Sequence, residues 1–325
     1  MYSRRTLLAS TLGVGALAGL AACGVSTSSS TTPSAATSSS AAAGSGGPGA
    51  ASSATLSAEA TAAIAKFTQA SFTDPANGNV LKYNLFVPDG ADGSTSFPLV
   101  LFMEDSSVVG STTTAALTQG LGALCWATAS DQAKRPCFVL APQYESVVVN
   151  DSSLATSLLD TTVNLVRSLT TSHKIDTSRL YTTGQSMGGM MSIAIDIKYP
   201  DLFAASYLVA CQWDASLVAP MVNDNLWITV SEGDTKAYPG ENAILAELKA
   251  KGATYTQAQL DGSATAADLS TACATVAAKG TNINYTTFKA GTLPTTSSGG
   301  MEHMATWTRA YSIESIREWI FTKKL

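Results

Sequence analysis

One pentapeptide holds the residues of nucleophilic catalysis in a usable order: Gly184-Gln185-Ser186-Met187-Gly188. A serine hydroxyl attacks poorly unless a base takes its proton and its oxygen stands clear of neighbouring side chains. The run Arg179 to Thr183 before the motif reads as a strand, and Met187 to Ile197 after it reads as a helix. Ser186 therefore falls at a strand, tight turn, helix junction. Glycines on both flanks leave room for a strained turn that lifts the hydroxyl above a sheet. The amide of Met187, first in the helix, then points at the oxygen on which charge develops when a carbonyl is attacked.

The base must come from another part of the chain. There are two histidines, His173 and His303. Where a nucleophile sits on such a turn, the acid and then the histidine follow it in sequence. His303, after the Gly-rich loop Ser297 to Met301, is the candidate base; His173 precedes the motif and reads as a loop residue. The apolar run Leu226 to Val230 leads into Ser231-Glu232-Gly233-Asp234, a turn at a strand end. Asp234 there can accept the ring N–H of the base and fix its tautomer. Glu232 and Asp214 remain rivals for the role. A second donor to the oxyanion is expected from the loop Glu104-Asp105-Ser106-Ser107, through the amide of Asp105 or Ser106. Glu104, Gln143, Tyr144, Gln185, Gln212 and Trp213 sit at or near strand ends and are candidates to line a substrate pocket.

These residues need a scaffold that gathers strand ends at one edge. Phe97 to Met103, Cys137 to Ala141, Leu180 to Thr183, Ala204 to Ala210, Leu226 to Val230 and Asn284 to Phe288 read as short buried strands. Continuous apolar runs of this kind indicate burial on both faces. Helical spacing lies between them, as at Leu154, Leu158, Leu159, Val163 and Val166, and a last helical segment is expected from about Ala305 to Phe321. The alternation predicts βαβ units and a mostly parallel central sheet with helices on both faces. Lys82 to Val87 alternates in character and is expected to add an antiparallel edge. No internal repeat and no second domain boundary is evident, so residues 56–325 are expected to form one catalytic domain.

The segment Ile175-Asp176-Thr177-Ser178-Arg179-Leu180-Tyr181 leading into Gly-Gln-Ser-Met-Gly-Gly, with a late histidine, resembles the α/β-hydrolase superfamily. The resemblance is to its polyhydroxybutyrate depolymerase-like and feruloyl-esterase-like branch. It spans roughly Lys82 to Leu325 in layout and is specific around the motif. It implies the α/β-hydrolase fold, Ser186, Asp234 and His303 as catalytic residues, and ester cleavage through an acyl-enzyme without a cofactor. Those relatives commonly carry His-Gly in the oxyanion loop where this chain has Glu104-Asp105. Two carboxylates beside the reaction centre would disfavour an anionic substrate; turned elsewhere, they would decide nothing.

The amino terminus reads as a targeting segment. Ser3-Arg4-Arg5-Thr6-Leu7-Leu8 is a twin-arginine start, and the apolar stretch to Leu20 is short for a bilayer span. It ends at Leu20-Ala21-Ala22-Cys23, which resembles a bacterial lipoprotein box with Cys23 as the lipidation site. Residues 24–55 are rich in Ser, Thr, Ala and Gly and read as a disordered tether. The expected location is the outer face of the cytoplasmic membrane or the cell surface. Four further cysteines would then lie in a disulfide-permissive compartment, with Cys125 and Cys137 the preferred pair.

The formal net charge is −5, with no Lys or Arg run in the body, which argues against nucleic acid as a partner. Neither CxxC nor Cys/His spacing occurs, so no metal is expected. The expected substrate is a small-molecule or polymeric ester. A peptidase on the same fold, or a lipoprotein that binds a solute or scaffolds an assembly without catalysis, are the alternatives.

Overall fold

Apolar runs flanked by helical segments fold here into one sheet, seen in a computed structural model that describes residues 56–325. The twin-arginine start, Cys23 and the tether lie outside the described residues. The strands are β1 (Thr68–Thr73), β2 (Val80–Phe86), β3 (Phe97–Met103), β4 (Phe138–Gln143), β5 (Ile175–Gln185), β6 (Ala205–Val209), β7 (Leu226–Ser231), β8 (Tyr255–Leu260) and β9 (Ile283–Phe288). Their order is β1-β2-β4-β3-β5-β6-β7-β9-β8. Strand β2 pairs antiparallel with β1 and β4, and all other pairings are parallel.

The helices are α1 (Ala58–Ile64), α2 (Ala115–Thr118), α3 (Ala129–Gln132), α4 (Leu158–Ser172), α5 (Met187–Lys198), α6 (Ala237–Ala250), α7 (Ala266–Ala277), α8 (Glu302–Tyr311) and α9 (Glu314–Phe321). Neighbouring residues of β5 show that both faces are covered. Thr182 Oγ1 lies 3.0 Å from Ser192 Oγ on α5, whereas Thr183 Oγ1 lies 2.9 Å from the Tyr311 hydroxyl on α8. Successive strand side chains point to opposite faces, so α5 and α8 must sit on opposite sides. On the α8 side, Trp227 of β7 packs edge-on against Trp319 of α9. Coverage on both faces is why β4, β6, β7 and β9 are buried at every residue. Helix α5 is buried from Met187 through Asp196, which accounts for its lack of a polar stripe over those turns.

The topology creates the site's location. From β3 the chain steps to β4 on one side and later returns to β5 on the other, so the crossovers diverge between β3 and β5. A crevice opens outside the carboxyl ends of parallel strands at such a point. Met103, the last residue of β3, is in register with Gly184 of β5, which sets the Glu104–Ser107 loop beside Ser186.

Two expectations are corrected. The final helical segment is two helices, broken at Ser312 and Ile313, with the Tyr311 carbonyl accepting instead from Arg317 Nη1 at 2.8 Å. Cys125 and Cys137 are not joined; all four cysteines of the described residues are free and buried. Each thiol of the expected pair is engaged locally, Cys125 Sγ with the Gly122 carbonyl at 3.7 Å and Cys137 Sγ with the Gln132 side-chain amide at 3.5 Å.

Candidate active site

Ser186 links β5 to α5 with φ 51° and ψ −116°, a conformation that costs a non-glycine residue on the order of 1–3 kcal/mol. The fold holds it there by a bond from the Ser186 amide to the Val209 carbonyl of β6, 3.0 Å long. The flanking glycines are needed for space. A Cβ on Gly184 would overlap the backbone of Gly188, and one on Gly189 would lie 2.8 Å from Cys211 Cβ and Sγ.

His303 is the second residue of α8, entered through Gly299 and Gly300, both at positive φ. Its Nε2 lies 3.0 Å from Ser186 Oγ, and its Nδ1 lies 2.5 Å from Asp234 Oδ2. The tautomer with the proton on Nδ1 satisfies both contacts, leaving Nε2 to accept from the serine. The ring also packs edge-on against Trp307 one turn later. Asp234 follows β7 on a turn closed by its own amide on the Ser231 carbonyl, 3.0 Å away. Its Oδ1 accepts from the amides of Lys236 and Ala237 at the start of α6. Burial works to raise its pKa, but the hydrogen bond and charge of His303 and these two amides together hold it below the ordinary carboxylate value. The carboxylate thus stays ionised beside the ring it orients.

No family model matches the sequence, and a comparison with curated proteins finds no match. Solved structures do match. A thermostable esterase superposes with TM-score 0.68 at 23% identity, over 81% of this chain and 64% of that one. The fluorophosphonate-binding serine hydrolase FphF of Staphylococcus aureus gives TM-score 0.53 at 11% identity, over 78% and 98% of the two chains. The feruloyl esterase module from Clostridium thermocellum gives 0.52 at 13%, over 77% and 88%. The chain has the α/β-hydrolase fold. It spans less than two thirds of the thermostable esterase's length.

Within this α/β-hydrolase scaffold the rival residues are engaged elsewhere. Glu232 accepts from Gln259 Nε2 and Thr287 Oγ1, Asp214 caps a 3-10 turn at Ser216, and His173 contacts Ser172 and the ring of Phe138. Of the two loop amides proposed for the oxyanion, that of Asp105 is committed to Gln119 Oε1 at 3.2 Å. Ser106, by contrast, lines the same cleft as Ser186. The Met187 amide is in the first turn of α5, where helix geometry leaves N–H groups without an intrahelical acceptor. Of the expected oxyanion donors, the residues that line the cleft are therefore Ser106 and Met187.

The cleft has a volume of about 730 Å³. Of the six pocket candidates only Gln212 reaches it. Glu104, Gln143, Tyr144, Gln185 and Trp213 are buried away from it, because the sheet is covered on both faces and a side chain at these strand ends meets protein whichever way it points. Glu104 Oε1 accepts from the Tyr144 amide and from Gln143 Nε2, both at 3.0 Å, while Oε2 has no partner. Burial, with the nearby Asp105 charge, pushes the Glu104 carboxyl up to about 8. Asp105 is buried too: its carboxylate accepts from the Ser107 amide and Gln119 Nε2 and braces the loop from within. Neither acid faces the cleft.

Sequence reasoning did not reach the remaining wall. Met187 and Met190, Val147 and Val149, and Met301 give an apolar surface, and Asn150, Asp151 and Lys236 a polar rim. Asp151 and Lys236 form an exposed pair at 2.6 Å, of the kind that contributes little to stability. Two signals were present: the three-residue spacing of Met187 and Met190 after Ser186, and valines in an otherwise polar loop.

Proposed function

We propose that the chain is a serine hydrolase that cleaves carboxylic esters through an acyl-enzyme. The observation that carries this reading is the continuous path from Ser186 Oγ through the His303 ring to Asp234, opening on a cleft. In the forward half-reaction His303 Nε2 takes the Ser186 proton as Oγ bonds to the ester carbonyl carbon. The resulting oxyanion is met by the Ser106 and Met187 amides. As the tetrahedral species collapses, His303 returns the proton to the leaving alkoxide, and the alcohol departs. A water then repeats the sequence on the acyl-enzyme, releasing the acid and regenerating Ser186. The apolar wall suits an acyl chain or ring, and similarity of fold to the thermostable esterase, the serine hydrolase FphF and the feruloyl esterase module supports the choice of ester.

The same proposal includes export with a lipid on Cys23, supported by the Arg4-Arg5 start and the small residues before that cysteine. Metabolic labelling with a fatty acid, lost in Cys23→Ala, tests that part.

For the catalytic part, the full chain is expected to react with a fluorophosphonate probe and to hydrolyse short p-nitrophenyl esters. Ser186→Ala should lose both. Turnover that survives the substitution overturns the mechanism, and a parallel peptide panel separates esterase from peptidase.

A further inference from the structure

The residue before His303 makes a second tie between the acid loop and the base, parallel to the Asp234 bond. Glu302 Oε2 accepts from the Ser231 hydroxyl, whose oxygen in turn accepts from the Gly233 amide at 3.1 Å. Glu302 Oε1 accepts from the Gly291 amide at 2.6 Å. The carboxylate therefore bridges the ends of β7 and β9, which are paired neighbours. Nothing in helix α8 requires this: its N-cap, Met301, makes no side-chain capping bond, and Glu302 reaches down to the sheet instead. A second observation points the same way. A Cβ on Gly233 would lie 2.5 Å from Glu302 Cδ and overlap its oxygens. Gly233 is not at positive φ, so its backbone does not demand glycine; the space it leaves is filled by the carboxylate.

We infer that Glu302 is a positioning residue, holding the start of α8 against the Ser231–Asp234 turn so that the His303 ring meets Asp234 and Ser186 together. The inference rests on the hydrolase reading for its kinetic consequence, though not for its geometry. An imidazole in the first turn of a helix entered through two glycines has freedom to swing with that helix end. Clamping the preceding residue at two points, the Gly291 amide and the Ser231 hydroxyl, removes most of it before substrate arrives, and small misplacements at a reacting centre cost about 10²-fold in rate.

The test compares Glu302→Ala, Glu302→Gln and Gly233→Ala in the full chain. Gly233→Ala is the more specific variant, since it displaces the Glu302 carboxylate while leaving Asp234 and His303 in place. Glu302→Ala and Gly233→Ala should lose roughly 10- to 100-fold in kcat with KM within about twofold. Glu302→Gln, which can accept only one of the two bonds, should fall between. Independently of turnover, the downfield proton resonance of His303 Nδ1–H, assigned by its loss in His303→Ala, should be sharp in the parent chain and broadened by exchange in both variants. A parent-like kcat and a sharp resonance in Gly233→Ala and Glu302→Ala overturn the inference. If the parent hydrolyses no ester but the resonance still broadens in the variants, the hydrolase reading falls and the positioning role stands. Should Glu302→Ala not fold, Gly233→Ala decides.

Discussion

Gly188 passes so close to Met103 that a Cβ on it would overlap the Met103 carbonyl oxygen and lie 2.5 Å from its carbon. Both partners are backbone of elements that pair in the sheet or start on it, so neither can give way as a side-chain tip could. Gly188→Ala should therefore push α5 off β3 at the point where the Ser186 turn and the Ser106 loop meet. Overpacking of this kind costs roughly 3 kcal/mol, or about 6–12 °C in Tm for a domain of this size. Calorimetry and fluorophosphonate labelling check it; a variant with parent-like Tm and labelling would show that the approach is not tight.

The contact between Gly188 and Met103 also shows what could be read before the structure and what could not. A glycine after the serine was legible as a demand for space, and the β3 end was legible as the neighbour of the turn. His303 was legible because only one histidine follows Ser186, and Asp234 because it lies on the turn that follows an apolar strand. The direction of side chains at strand ends was not. Glu104, Gln143 and Tyr144 sit where a cleft residue would, but Glu104 turns in to accept from the Gln143 side chain and the Tyr144 amide, which closes them into a buried network, a tertiary arrangement that residue type and position do not specify. Strands β1 and β8 also escaped, since their sequences, Thr-Gln-Ala-Ser-Phe-Thr and Tyr-Thr-Gln-Ala-Gln-Leu, lack the apolar runs of the centre. They are the two sheet edges, where one side of the strand meets no partner and polar residues are tolerated. The break between α8 and α9 carries no Pro or Gly; it depends on Arg317 supplying a donor to the Tyr311 carbonyl, a tertiary contact.

The buried Glu104 network carries a pH dependence. Its carboxyl is raised from 4.5 to about 8 by burial, so the folded chain keeps a proton that the unfolded chain releases. This contribution is fully present below about 4.5, and is lost progressively as pH rises to about 8. Glu104→Gln retains an acceptor for the Tyr144 amide and Gln143 and has no proton to lose. The variant should gain stability relative to the parent across that window, by an amount on the order of a few kcal/mol at the alkaline end. Urea midpoints measured from acid to alkaline pH report the difference directly; curves that stay parallel would mean the parent carboxyl is not protonated in the folded state.

Asp234 has the opposite sign. Despite burial, His303 and the amides of Lys236 and Ala237 hold its carboxyl below the ordinary value, so its share of folded stability is present above the unfolded pKa and disappears as pH falls through the folded one. Asp234→Asn should thus be less stable than the parent at neutral pH, with the gap closing in acid. Its effect on turnover should be larger. The Asn oxygen will stay with the two amides at 3.0 and 2.9 Å, which leaves an NH₂ group facing His303 Nδ1. Two donors cannot face each other, so the ring proton moves to Nε2 and the nitrogen that must accept from Ser186 becomes a donor. A loss of about 10⁴-fold in kcat, with KM little changed, follows from that tautomer. Steady-state kinetics on a p-nitrophenyl ester measure it, and a variant that keeps turnover within about tenfold of the parent would remove Asp234 from the mechanism.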